Sequence, residues 1–220
     1  LEEATRVATD PADAYGELAR VQRLRGEIHE ALLAYKQRLR ARPDDAEAFF
    51  GLAETLVAAE RDSEAVEAQQ AGLALEPKRA KAARALGEML ARLDRNEEAI
   101  VPLEKATIEE AEDATLWALL ARCRERTGDP KREVEALDQA VSFRANDAGL
   151  LRRLGLARRT LGQSPQAIAA LTRALSLDAS MVELEVPLGE LHRAAGRRAA
   201  AAKAHDEAAT ELEKARRYQR

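Results

Sequence analysis

Six leucines set the period of this chain. Leu18, Leu52, Leu86, Leu120, Leu154 and Leu188 stand 34 residues apart, with no insertion between any two. The residue after each is small: Ala19, Ala53, Gly87, Ala121, Gly155 and Gly189. Thirteen positions beyond each leucine comes Ala31, Ala65, Ala99, Glu133, Ala167 or Ala201, and seven further on Arg38, Gly72, Ala106, Ala140, Ala174 or Ala208. Within the second period, Phe49, Leu52, Ala53 and Leu56 fall at i, i+3, i+4 and i+7, one face of a helix. The pattern breaks near Arg61-Asp62-Ser63 and resumes with Ala65, Val66, Ala68, Ala71 and Leu73, until Pro77 stops it. Gly128-Asp129-Pro130 and Ser164-Pro165 each offer a cap followed by an early proline, a helix start. Each period therefore predicts a helix–turn–helix. The small residue after the leucine sits where the two helices approach too closely for a large side chain.

The register divides residues 12–215 into units 12–45, 46–79, 80–113, 114–147, 148–181 and 182–215. It resembles the tetratricopeptide repeat, whose 34-residue unit runs from a bulky residue through Leu-Gly to Ala positions in a second helix and a closing proline. The bulky position holds Tyr15, Phe49, Ala83, Trp117, Leu151 and Glu185. The proline survives as Pro43 and Pro77 and is replaced by Ala111, Ala145, Ala179 and Glu213. The last unit drifts most, with Glu185 and Pro187 early in its first helix. The resemblance implies an all-α fold, a right-handed superhelical solenoid of antiparallel helix pairs. Residues 1–11 align with the end of a second helix, so the chain reads as a fragment beginning inside a preceding repeat. Residues 216–220 read as the end of a polar capping helix.

Composition narrows the chemistry. Aromatics are only 3% and charged residues 34%, which argues against an all-β sandwich. No apolar run approaches a membrane span, and the lone Cys123 excludes a disulfide framework or a multi-cysteine zinc site. Cys123 aligns with core positions and reads as a small buried hydrophobe. Phosphate-binding glycine loops and the H-E-x-x-H metal motif are missing. His192 and His205 lack a third ligand, so no metal and no cofactor are expected. Paired acids such as Glu97-Glu98 and Glu109-Glu110 fall on solvent faces, so no catalytic residue is expected and the chain reads as a non-enzyme. A net charge of −4 with few aromatics disfavours nucleic acid. Ala- and Arg-rich usage reads as a GC-rich bacterial protein. The cytoplasm is the favoured compartment, with the periplasm left open.

The resemblance also implies a groove lined by the second, fifth, ninth and twelfth positions of each first helix. There the candidate partner-binding residues are Arg20, Phe50, Lys81, Arg84, Arg122, Arg152, Leu156 and Arg159. The cations form a basic stripe on an acidic chain. Because Phe49 takes the core position, Phe50 is expected to face the groove; packing under the neighbouring helix is the alternative. The arginines are either reserved for a partner or satisfied by neighbouring glutamates. Asn96 and Asn146 lie in turns or unit ends, so the carboxylate clamp of chaperone-binding relatives is missing in its usual form, and an asparagine ladder is missing too. The expected function is a non-catalytic scaffold that binds an acidic, partly apolar peptide or a folded partner. The rival reading is a self-associating spacer or the regulatory arm of a larger protein, of the kind used in bacterial envelope assembly, motility or signalling.

Overall fold

A computed structural model describes residues 10–199. In chain order its helices are α1 (Pro11–Leu24), α2 (Ile28–Ala41), α3 (Ala46–Ala58), α4 (Asp62–Leu75) and α5 (Ala80–Arg92). They continue with α6 (Asn96–Glu109), α7 (Ala114–Arg126), α8 (Pro130–Phe143), α9 (Ala148–Thr160) and α10 (Ser164–Leu177). A single 3₁₀ turn, Val182–Leu184, leads into α11, described over residues 185–199. The described residues contain no strand, and none of their helices is long and apolar enough to cross a membrane. The 34-residue period survives intact: α3, α5, α7 and α9 begin that far apart, and so do α2, α4, α6, α8 and α10.

Local chemistry sets both ends of the first helices. Asp45, Asp113 and Asp147 share one repeat position and cap α3, α7 and α9. Asp45 accepts from the Ala48 amide at 3.0 Å, Asp147 from the Leu150 amide at 3.0 Å, and Asp113 from the Thr115 and Leu116 amides. At the other end, Gly26, Glu60, Asp94, Gly128 and Gly162 all have positive φ and again lie 34 residues apart. The next amide closes back on a carbonyl five residues earlier, as from Arg61 to Leu56 and from Arg95 to Leu90, each at 2.9 Å. This is a Schellman-type stop.

The sixth unit is described only as far as residue 199. Gly196 occupies the same turn position, yet α11 runs helically through it to residue 199. Gly196 is followed by Arg197, Arg198 and Ala199, strong helix formers with no cap and no proline, so nothing local ends the helix over the described length. The expected second helix of this unit, the end segments 1–9 and 216–220, and His205 lie outside the described residues.

The chain forms two compact units that divide between Thr127 and Gly128, in the turn of the fourth repeat. In the first unit, α1/α2, α3/α4 and α5/α6 pack as antiparallel hairpins, and each second helix also contacts the first helix that follows it. The core is the repeating set itself. Ala19, Ala31, Ala99, Leu103 and Ala106 are fully buried, and a Cβ on Gly87 would lie 2.5 Å from Leu103 Cδ2. In the second unit α8 packs on α9 and α9 on α10. Leu151, Ala167, Leu171, Ala174, Leu184 and Leu191 form its core.

Candidate docking surface

The first unit contributes five of the residues assigned to the groove, all on its first helices α1, α3, α5 and α7. Second and ninth positions are exposed there, whereas the fifth positions Gly16 and Phe50 pack inward over the second helix of their own repeat. Gly16 lies against the Arg38 guanidinium, and Phe50 lies over Gly72, where an added Cβ would come within 2.4 Å of the ring. Phe50 is accordingly buried, among Ala46, Ala82 and Leu73, with the Arg79 guanidinium 4.7 Å from the ring centroid. Its expected projection into the groove is thus overturned, in favour of packing. The inference from Phe49 failed because Gly72, where the first unit carries Arg38 and the later units alanine, opens a second pocket large enough for a ring.

Arg84 is corrected for a different reason. Its Nε donates to Glu88 at 2.8 Å, and its Nη1 donates to Glu110 at 2.5 Å and Asp113 at 2.6 Å. These carboxylates push the guanidinium pKa up. Such a three-acid clasp ties α5 to the α6–α7 connection and leaves Arg84 no free charge for a visitor. Arg20 is exposed and pairs with Glu17 at 3.2 Å. Lys81 and Arg122 are exposed and have no carboxylate partner among the described residues. Beside Arg122, Cys123 is fully buried, as its repeat position predicts; burial raises its thiol pKa, and Arg122 only partly offsets that.

In the second unit, the remaining three groove residues lie on α9. Arg152 is half-buried without a carboxylate partner among the described residues. Leu156 is half-buried and packs against the core around Leu151 and Leu171. Arg159 pairs with Glu190 at 2.8 Å. That pair repeats a contact of the first unit, Arg23 with Glu54 at 3.1 Å. In both, a twelfth-position arginine reaches the ninth-position glutamate of the following repeat. The basic stripe of the sequence therefore divides into Arg20, Arg84 and Arg159, paired with the chain's own acids, and Lys81, Arg122 and Arg152, which have no carboxylate partner among the described residues.

One feature escaped the sequence reading. Arg79 stands where an aspartate cap belongs, pairs with Glu47 and with Glu76 at 3.1 Å, and covers the Phe50 ring. The signal was present, since 79 is a cap position without a capping residue.

The tetratricopeptide-repeat family model matches residues 17–78. Among solved structures, one described as the crystal structure of MamA protein superimposes with a TM-score of 0.66 at 22% identity, covering 79% of this chain and 94% of that one. MamA 41-end from Desulfovibrio magneticus RS-1 gives 0.62 at 22% identity, over 79% of this chain and 98% of that one. YrrB, described as a TPR protein with an unusual peptide-binding site, gives 0.69 at 18% identity, over 81% and 92%. No curated protein matches the sequence. Helix pairs recurring every 34 residues, a family match over residues 17–78 and these neighbours give the chain the fold of a tetratricopeptide-repeat array.

Proposed function

We propose that this chain is a non-catalytic interaction scaffold, and that the first-helix face of its first unit docks an acidic, partly apolar protein segment. One observation carries the reading: Lys81 on α5 and Arg122 on α7 stand exposed at groove positions without a carboxylate partner among the described residues. The neighbouring cations Arg23, Arg79 and Arg84 are held by the protein's own acids. Unpaired cations on an acidic array are where a visiting carboxylate gains most, because no internal bond has to break first. The peptide-binding site in the description of YrrB supports the same use of a similar fold. In the second unit, Arg152 would serve a similar purpose on α9.

The test is selection of random 16-residue peptides displayed on phage against the whole chain, followed by titration of the synthesised binders. Acidic binders should lose at least tenfold in affinity to the variant Lys81→Glu with Arg122→Glu. Unchanged affinities, with an unaltered circular-dichroism spectrum, would remove this face as the docking surface.

A further inference from the structure

On the second-helix side of the first unit lies an apolar cleft of about 210 Å³. Leu73 and Ala74 of α4 form one wall, Val101 and Pro102 of α6 the other, and Ala83 and Leu86 of α5 the floor. Its origin can be read in the repeat. Ala83 occupies the bulky position that Tyr15, Phe49, Trp117 and Leu151 fill elsewhere, so the third repeat lacks a ring or a branched side chain at this point. The wall differs as well. Pro102 stands where Ala34, Ala68, Ala136 and Ala170 stand in the other second helices, all of them buried. Proline gives α6 no amide to donate to the Glu98 carbonyl, and its ring replaces a methyl group at the cleft wall.

The rim says what would enter. Val101 and Ile108 are 57% and 79% exposed and lie on one face of α6, with Lys105 between them at i+4 from Val101. Lys105 is the only charged residue lining the cleft, and it has no carboxylate partner among the described residues. A dry apolar cavity of roughly 150 Å³ already accommodates a benzene ring, so this cleft has room for one large side chain. We propose that the cleft is a second docking site, receiving from a protein partner one Phe, Leu or Trp anchor with an Asp or Glu nearby in sequence for Lys105. The anchor would supply the bulk that Ala83 omits, and Val101 and Ile108 would flank it as apolar contacts. This site is separate from the first-helix face and does not depend on it.

The variant that tests it restores the repeat's own pattern. Ala83→Phe fills the cleft from within, using a side chain that the preceding repeat accommodates at the same position. The phage-displayed 16-residue peptides serve again as the probe. Selection should yield a class of binders that carry a large apolar residue within five positions of an acid. These should lose at least tenfold in affinity to Ala83→Phe and be indifferent to the Lys81→Glu, Arg122→Glu double variant. Lys105→Glu should shift the preference of that class from acidic to basic flanks. Ala83→Leu and Val101→Asp provide the same readout if the phenylalanine disturbs the thermal melt. The proposal is overturned if selection yields no such class, or if its affinities are the same for a folded cleft-filled variant as for the native chain. Loss on the double variant alone would support the first-helix face and reject the cleft.

Discussion

Gly87 lies against Leu103, and Gly155 lies against Leu171, at the same place in two hairpins belonging to different units. In each, an added Cβ would come within 2.5 Å of the leucine Cδ2. Around that shared contact, α5–α6 and α9–α10 differ. Arg84 on α5 is clasped by Glu88, Glu110 and Asp113, while its repeat equivalent Arg152 on α9 meets no carboxylate among the described residues. The equivalents of the three acids explain why: Leu156 replaces Glu88, Met181 replaces Asp113, and Asp178 is engaged by Ser180 at 2.6 Å. The cap before α9 is Asp147, whereas Arg79 precedes α5. Leu151 fills the floor position in one hairpin and Ala83 leaves it open in the other. The charge follows the same division. Residues 10–127 hold 18 basic and 24 acidic side chains, and residues 128–199 hold 11 and 9. Closure within a hairpin is thus a repeated solution, but the fate of an arginine depends on partners that the period does not repeat.

The largest expected effect tests the shared half of this comparison. Leu103→Ala and Leu171→Ala each remove a fully buried side chain packed on a glycine, and each should cost about 3 kcal/mol. Urea titration followed by circular dichroism checks this. A twofold difference between the two would show that the hairpins do not close equivalently.

The caps come next. Asp147→Ala should cost about 1 kcal/mol, because the Leu150 amide loses its acceptor. Arg79→Ala should cost less, roughly 0.5 kcal/mol, since it breaks exposed ion pairs and one cation–ring contact and no cap. Thermal melts of the two variants rank them, and the reverse order would mean that Arg79 organises the start of α5 more strongly than its geometry indicates.

The hairpins were legible in the sequence because burial obeys the period. Leu120, Ala121, Ala65 and Ala167 are nearly or fully buried where the spacing put them, and the same-register turns follow. The surface was less legible, since one repeat position can be buried, clasped or free. Phe50 was misread because its pocket depends on Gly72, a residue 22 positions away whose smallness matters only once the helices are paired. Arg84 was misread because two of its acids lie 26 and 29 residues on, brought together by the turn after α6. Gly196 shows the opposite limit. The repeat assigns it a turn, but the local residues favour helix and prevail over the described length.

The smallest expected effect distinguishes Arg84 from Arg152 by acid response. Burial pushes the Asp113 pKa up, but the Arg84 guanidinium and the amides of Thr115 and Leu116 outweigh it and hold the carboxyl below its ordinary value of 3.8. A carboxylate lowered in the folded state adds stability that is complete above that ordinary value and is lost as pH falls through the lowered one. Arg84→Gln removes one of the groups that lower it, so the folded and unfolded values converge and this acid-dependent increment shrinks. Because the pair is partly exposed, the difference should be a few tenths of a kcal/mol up to about 1 kcal/mol. Urea midpoints at pH 7 and pH 3 measure it: the decline toward acid should be shallower in Arg84→Gln than in the native chain and unaltered in Arg152→Gln. Equal slopes in all three proteins would show that the clasp on Arg84 is a surface pairing of no consequence, and the distinction between the two arginines would then rest on geometry alone.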